Sequence, residues 1–356
     1  MFSIFVINPG STSTKISLYN GITSAFNGVI RHEPDEIKGY PAAIRQLEYR
    51  FSAIKKNLRV ESVNLDNVDA FAGRGGLLKP LKGGTYIVNK AIIDDLICSR
   101  YGDHASNLGA IIASRFSEEY GRPAYIVNPV VVDELAEEAR FTGLPQIKRT
   151  SVFHALNQKA AAMRAASEAG VDYDKGKFIV AHLGGGISVA AHFCGRVADV
   201  NNALEEGPFS PERAGSLPTK QLVDMCFSGM YTRAEIDRML VGNGGLYAYT
   251  GTTDCRKVEI EAETDEKARF ILDAMAYRIS KEICSNAAVL CGEIDRVVIT
   301  GGLAYSNYIV DRIKQRVSFL APVAVYPGED EMAALADGVA RVLDGREKAL
   351  VYGEAG

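Results

Sequence analysis

Two stretches, IFVINPGSTSTKISLYNG (residues 4–21) and FIVAHLGGGISVAAHFCG (residues 178–195), align without a gap, with Asn8 falling on His182 and Gly21 on Gly195. Each has a short apolar run, a turn of Gly, Ser or Thr, a second alternating run and a closing glycine. Alternation around such a turn predicts a β-hairpin. A second pair, DAFAGRGG (69–76) and DRVVITGG (295–302), reads as two buried strands that both end in paired glycines. Elements recurring in the same order in both halves point to an internal duplication.

Around these strands, apolar residues fall at helical spacing over 42–57, 89–100, 104–120, 155–169, 219–227, 233–241, 265–291, 306–316 and 330–344. Further strands are predicted at 124–128 and 322–326. Strands mixed with helices in two related halves predict an α/β protein of two domains facing each other across a cleft. The junction is expected near 150, giving domains 1–150 and 151–334, with the stretch 335–356 free to cross back onto the first. A chain of 356 residues is long enough for both to bury a core.

The formal net charge of −4 excludes a global basic field that would hold nucleic acid or an anionic membrane. No apolar run is long enough to span a bilayer. The N-terminus enters a strand without a basic leader region, so a cytoplasmic location is expected. The six cysteines (98, 194, 226, 255, 284, 291) contain no C-x-x-C pair, so neither a disulfide framework nor a zinc site is indicated.

The chemistry concentrates in the two turns. Residues 8–15 carry one glycine, four hydroxyls and Lys15 directly after a strand. Backbone amides and small side chains of this kind can cradle phosphate oxygens. The loop is not a GxxxxGK[ST] P-loop, and a Ser/Thr-rich hairpin turn alone is more often structural. Gly184, Gly185 and Gly186 let a second backbone approach a ligand, with His182 at the strand end equivalent to Asn8. Arg74 sits among Gly73, Gly75 and Gly76, and Arg213 in the irregular stretch GPFSPERAGSLPT (207–219). Either arginine alone reads as a surface ion pair; beside two polar strand ends, they point to an anionic ligand. A dinucleotide fold would need GxGxxG after a strand, and Gly242-Asn243-Gly244-Gly245 follows a helical pattern instead.

The strings INPGSTSTK (7–15), SVFHALNQKAA around His154, AHLGGGISVAAH (181–192), EEGPFSPERAGSLP (205–218) and ITGGLAYSN (299–307) resemble, in order and over essentially the whole chain, the acetate kinase and butyrate kinase family. The first and fourth look most like its butyrate kinase members. The resemblance implies two ribonuclease-H-like domains of the actin-like ATPase fold around a nucleotide. It also implies ATP/ADP as substrate with Mg2+, and direct in-line phosphoryl transfer to a short-chain carboxylate. Butyrate is favoured, with acetate, propionate and isobutyrate open. It places Asn8, Ser11, Ser13 and Lys15 at the phosphates with Gly184, Gly185 and Gly186. Arg74 and Arg213 fall at the carboxylate and transferring group, His154 at the transition state and His182 at the γ-phosphate. Asp133 would position an arginine or the metal, and Asp254, Arg256, Gly301, Gly302 and Leu303 would bind adenosine.

Two positions depart from the family. Gly185 stands where acetate kinases have asparagine, and Tyr305 where they have a glutamate, which leaves Asn8, Asp133 and water as metal ligands, with Glu329 or Glu331 as an alternative. Glu329 and Glu331, in YPGEDE (326–331), read as helix-start acids. Val29, Ile30, Pro129, Val130, Val131 and Phe209 are candidates for an acyl pocket. The competing readings are a sugar kinase with Asp133 as base, and a nucleotide-switched binding protein. Small-molecule kinases of this shape suggest a homo-oligomer.

Overall fold

The computed structural model describes residues 1–353. It divides into two compact units, residues 1–132 with the segment from Asp330 onward, and residues 133–329.

In the first unit, β1 (Ser3–Pro9), β2 (Ser13–Asn20) and β3 (Thr23–Arg31) form an antiparallel meander. β4 (Ala70–Gly73) pairs parallel with the far side of β1. β5 (Thr85–Ile87) runs antiparallel to β6 (Ala124–Val127), which is itself parallel to β4. Residues Leu350–Val351 complete the edge beside β5. The core on one face gathers Phe5, Phe71 and Phe116, with Phe71 stacked on Phe116 at 5.6 Å. Phe116 comes from the helix Asn107–Tyr120, whose Gly109 lies so close to the end of β4 that a Cβ at Gly73 would overlap Gly109 and one at Gly109 would overlap the Arg74 backbone. That contact brings the helix backbone against Arg74. The helix Glu331–Leu343 packs on β1, β4 and β6, with Gly338 seated against Val127.

The second unit repeats the plan. β7 (Lys177–Leu183), β8 (Ile187–Phe193) and β9 (Arg196–Val200) form the meander, and β10 (Arg296–Gly301) then β11 (Val323–Pro327) extend it in parallel from β7. The two sheets therefore share an arrangement, and the two strands ending in paired glycines, β4 and β10, occupy the same position in each. Strand alternation sorts the β7 residues. Ile179, Ala181 and Leu183 join the core under the helix Glu266–Val289, while Phe178 and Val180 meet Ala161, Ala162 and Ala165 of the helix Ala155–Ala169.

The units change over at 132/133 rather than near 150, because residues 133–150, which carry little regular structure, are tied to the second unit. Ala136 N–H donates to Ala198 O at 2.8 Å, Lys159 pairs with Glu134 at 2.9 Å, and Arg149 pairs with Asp199 and Glu206. Three helices absent from the sequence expectations, Pro34–Lys38, Gly245–Thr250 and Cys255–Glu261, are too short to show a period.

Candidate active site

In the first unit, β1 delivers Asn8 and β4 leads into Arg74, whose N–H donates to Ile7 O at 2.9 Å. The Arg74 guanidinium pairs with Glu331, the first residue of its helix, and Glu331 Oε2 accepts from Asn8 Nδ2 at 2.8 Å. Glu331 thus does more than start a helix. It joins the two strand ends that the sequence marked separately. His104 lies nearby, and burial, then the Arg74 charge, holds its imidazole below the usual range.

The turn after β1 is polarised. Gly10, Ser11 and Ser13 offer their carbonyls to Arg50, and Thr12 O accepts from His32 N at 2.9 Å. The N–H groups of Ser11 and Thr12, and the hydroxyls of Ser11, Thr12 and Ser13, have no protein partner among the described residues. Ser11, Thr12 and Lys15 are exposed. Carbonyls inward and donors outward is the polarity an anion requires.

In the second unit, His182 at the end of β7 is fully buried and stacks on His154, with ring centroids 3.8 Å apart. His182 Nδ1 is 2.8 Å from Asn157 Oδ1. Its Nε2 stands 3.0 Å from Glu329 Oε1 but off the line of a hydrogen bond, and has no hydrogen-bond partner among the described residues. His154 Nδ1 lies 2.9 Å from Ser188 Oγ, which accepts from Gln158 Nε2 at 2.7 Å. Gln158 in turn meets His192, held at its other nitrogen by Tyr173.

Arg213 is reached through the turn 210–213. Ser210 Oγ accepts from the Arg213 N–H at 3.1 Å and donates to Gly185 O, tying this turn to the glycine loop. The Arg213 guanidinium is half-buried, donates to Ala203 O at 2.8 Å, and leaves Nε without a hydrogen-bond partner among the described residues. Burial holds its pKa below the usual value. A Cβ at Gly186 would overlap this guanidinium. Gly186→Ala is therefore expected to displace Arg213 and lower kcat on the order of 10²-fold, with an unchanged circular dichroism spectrum.

The remaining expected residues separate by role. Asp133 is engaged at both oxygens, by Arg140 Nη1 at 2.8 Å and Leu135 N–H at 3.3 Å. Asp254 caps the helix Cys255–Glu261 by accepting from Arg256 N–H. Gly301 has φ +91° and sits against the Leu183 backbone, so the fold itself requires it, whereas a Cβ at Gly302 would meet nothing within 4 Å. Leu303 packs on the core of the second unit. Sequence reasoning missed Arg50, Ser210 and Asn157. Only Asn157, beside His154 in the quoted string, had a local signal.

Two buried histidines make acid stability measurable. Burial beside Arg50 pushes His32 down from 6.5 to about 4, and burial near Lys159 pushes His192 down to about 3. Both are neutral when folded, so their contribution is complete above pH 6.5 and is lost as pH falls toward 4 and then 3. Each adds up to about 1.4 kcal/mol of destabilisation per pH unit in that window. Denaturant melts from pH 7 to 4 are expected to show this slope, and His192→Gln to reduce it.

Duplicated meanders bearing these loops define a class, the two-domain kinases built like acetate kinase. The acetate kinase of Porphyromonas gingivalis superposes with a TM-score of 0.77 at 20% identity, covering 96% of this chain and 100% of that one. A propionate kinase from Francisella tularensis gives 0.71 at 20% identity, over 95% and 99%. The chain belongs to the acetokinase family, whose model matches residues 144–325. It is 50% identical over 353 residues, 99% of each chain, to butyrate kinase 2 of Clostridium acetobutylicum.

Proposed function

We propose that this protein catalyses reversible, direct in-line phosphoryl transfer between ATP and a short-chain carboxylate, with butyrate the preferred acid. The observation that carries the reading is Arg213, a half-buried guanidinium whose Nε is buried and unbonded and which has no carboxylate partner among the described residues. A carboxylate substrate is ionised at neutral pH and needs no general base, only compensation of charge as it nears an anionic phosphate. A sugar kinase would need a free aspartate as base. Asp133, the candidate for that role, has both oxygens engaged, and we assign it to positioning Arg140.

In the proposed reaction a carboxylate oxygen attacks the γ-phosphorus, the bond from that phosphorus to the β–γ bridging oxygen breaks, and ADP leaves with the electron pair. Arg74 binds the acid. Arg213 and the His154–His182 stack stabilise the transferring group, with His182 Nε2–H donating to a phosphoryl oxygen. Asn8, Ser11, Ser13, Lys15 and the glycines 184–186 take the phosphate chain. The open position at Gly302, with Leu303, Asp254 and Arg256, takes the adenosine. Among the described residues no group of three or more His, Cys, Asp or Glu side chains is poised for a metal. Mg2+ requires only one or two protein oxygens beside phosphates and water. The adjacent Asn8 and Glu331 supply such hard donors and would hold it. When bound, it would neutralise phosphate charge.

Among the described residues no helix is long and apolar enough to cross a membrane. A cytoplasmic homo-oligomer completes the proposal, its assembly testable by light scattering. The reaction is tested by incubating the protein with ATP, Mg2+ and separate acetate, propionate, butyrate, isobutyrate or glucose, and trapping acyl phosphate with hydroxylamine. Hydroxamate strongest with butyrate is expected. ADP release with glucose and no hydroxamate from any acid would overturn the reading.

A further inference from the structure

Arg50, on the helix Leu47–Val60, is completely buried, and every acceptor it uses is a neutral oxygen. Nη1 donates to Gly10 O at 2.9 Å, Thr14 Oγ1 at 3.0 Å and Ser13 O at 3.3 Å, Nη2 to Ser11 O at 3.2 Å, and Nε to Gln46 Oε1 at 2.9 Å. No carboxylate pairs with it among the described residues. A buried guanidinium ordinarily carries an acid, because an unmatched charge away from water is costly. Here the full positive charge stands directly behind the turn 10–14. The neighbouring His32, neutral near pH 7, shares Thr14 Oγ1 at 2.8 Å and fixes Thr12 O through its backbone N–H. With Gly10 N–H on Ser13 O, every carbonyl from Gly10 to Ser13 is bonded within the protein. The outward face is left to N–H and hydroxyl donors.

We propose that Arg50 is the positioning residue of the phosphate loop. It holds the loop carbonyls inward so that the donors meet the ligand, and its unmatched charge is complemented by the polyphosphate chain of a nucleoside di- or triphosphate. This rests on the assignment of residues 8–15 to phosphate binding. The fork of a guanidinium reaches several carbonyls at once, which an ammonium cannot do, and a thioether offers neither fork nor charge.

The test titrates ADP, and separately inorganic tripolyphosphate, into the wild-type protein, Arg50→Lys and Arg50→Met by calorimetry. The KM for butyrate is measured alongside. Arg50→Met is expected to raise the ADP Kd about 50-fold and Arg50→Lys about fivefold, while the butyrate KM stays within about twofold. A purely structural role would move both ligands together. If wild-type protein binds neither probe, the phosphate-loop assignment itself fails. If wild type binds and both variants bind equally well, this inference alone fails. Should Arg50→Met not fold, Arg50→Lys decides. A rise in ADP Kd with butyrate KM unchanged supports the proposal, and an unchanged ADP Kd or an equal rise in both overturns it.

Discussion

Replacing Arg213 with glutamine is expected to lower kcat by roughly 10³-fold or more, the scale of an arginine that stabilises a transferring phosphoryl group. The side chain is half-buried, its pKa is held down by that burial, and its Nε has no hydrogen-bond partner among the described residues. Such a group is costly to the resting fold and repays that cost when negative charge builds up beside it. Lysine at 213 keeps the charge but loses the planar fork, so it is expected to recover only a small part of the rate. Rapid-quench measurement of a single turnover isolates the chemical step. A rate within tenfold of wild type would reduce Arg213 to a tie on Ala203 O.

Replacing Arg74 with alanine is expected to act on a different constant. Arg74 is partly exposed and carries Glu331 as its counterion, so it is a poor candidate for an unmatched transition-state charge. It is better suited to gripping a carboxylate already charged in the ground state. The butyrate KM is expected to rise about 10²-fold with the ATP KM within about threefold. An equal rise in both would mean that the Asn8–Glu331–Arg74 cluster serves the nucleotide instead.

The fold was legible because its decisive elements are local. A hairpin declares itself within about twenty residues, and two hairpins in register declare a duplication. The β4 and β10 strands were readable for the same reason, as short apolar runs closed by glycines. The candidate site was legible only where a polar group stood inside such a signature, as Asn8, His182 and Arg74 do. Arg50 looked like any charged residue of an amphipathic helix, since its loop partners lie 36 to 40 positions away. Glu331 carried the ordinary signature of a helix start, and its bond to Asn8 spans 323 positions. Ser210 was one hydroxyl in a loop full of small residues. The changeover at 132/133 was hidden because residues 133–150 join the second unit through single hydrogen bonds and ion pairs, none of which has a period.

The discontinuous first unit has a consequence for biosynthesis. Translation delivers β1 to β6 first, then the whole of residues 133–329, and only afterwards the helix Glu331–Leu343 and the edge strand Leu350–Val351. On the ribosome the second unit can close while the first still lacks the helix that covers β1, β4 and β6. Asn8 and Arg74 receive Glu331 only from that last segment. A nascent chain stalled before residue 330 would expose an uncovered sheet face to chaperones. The Asn8–Glu331–Arg74 cluster is thus completed only after the whole of the second unit has been synthesised.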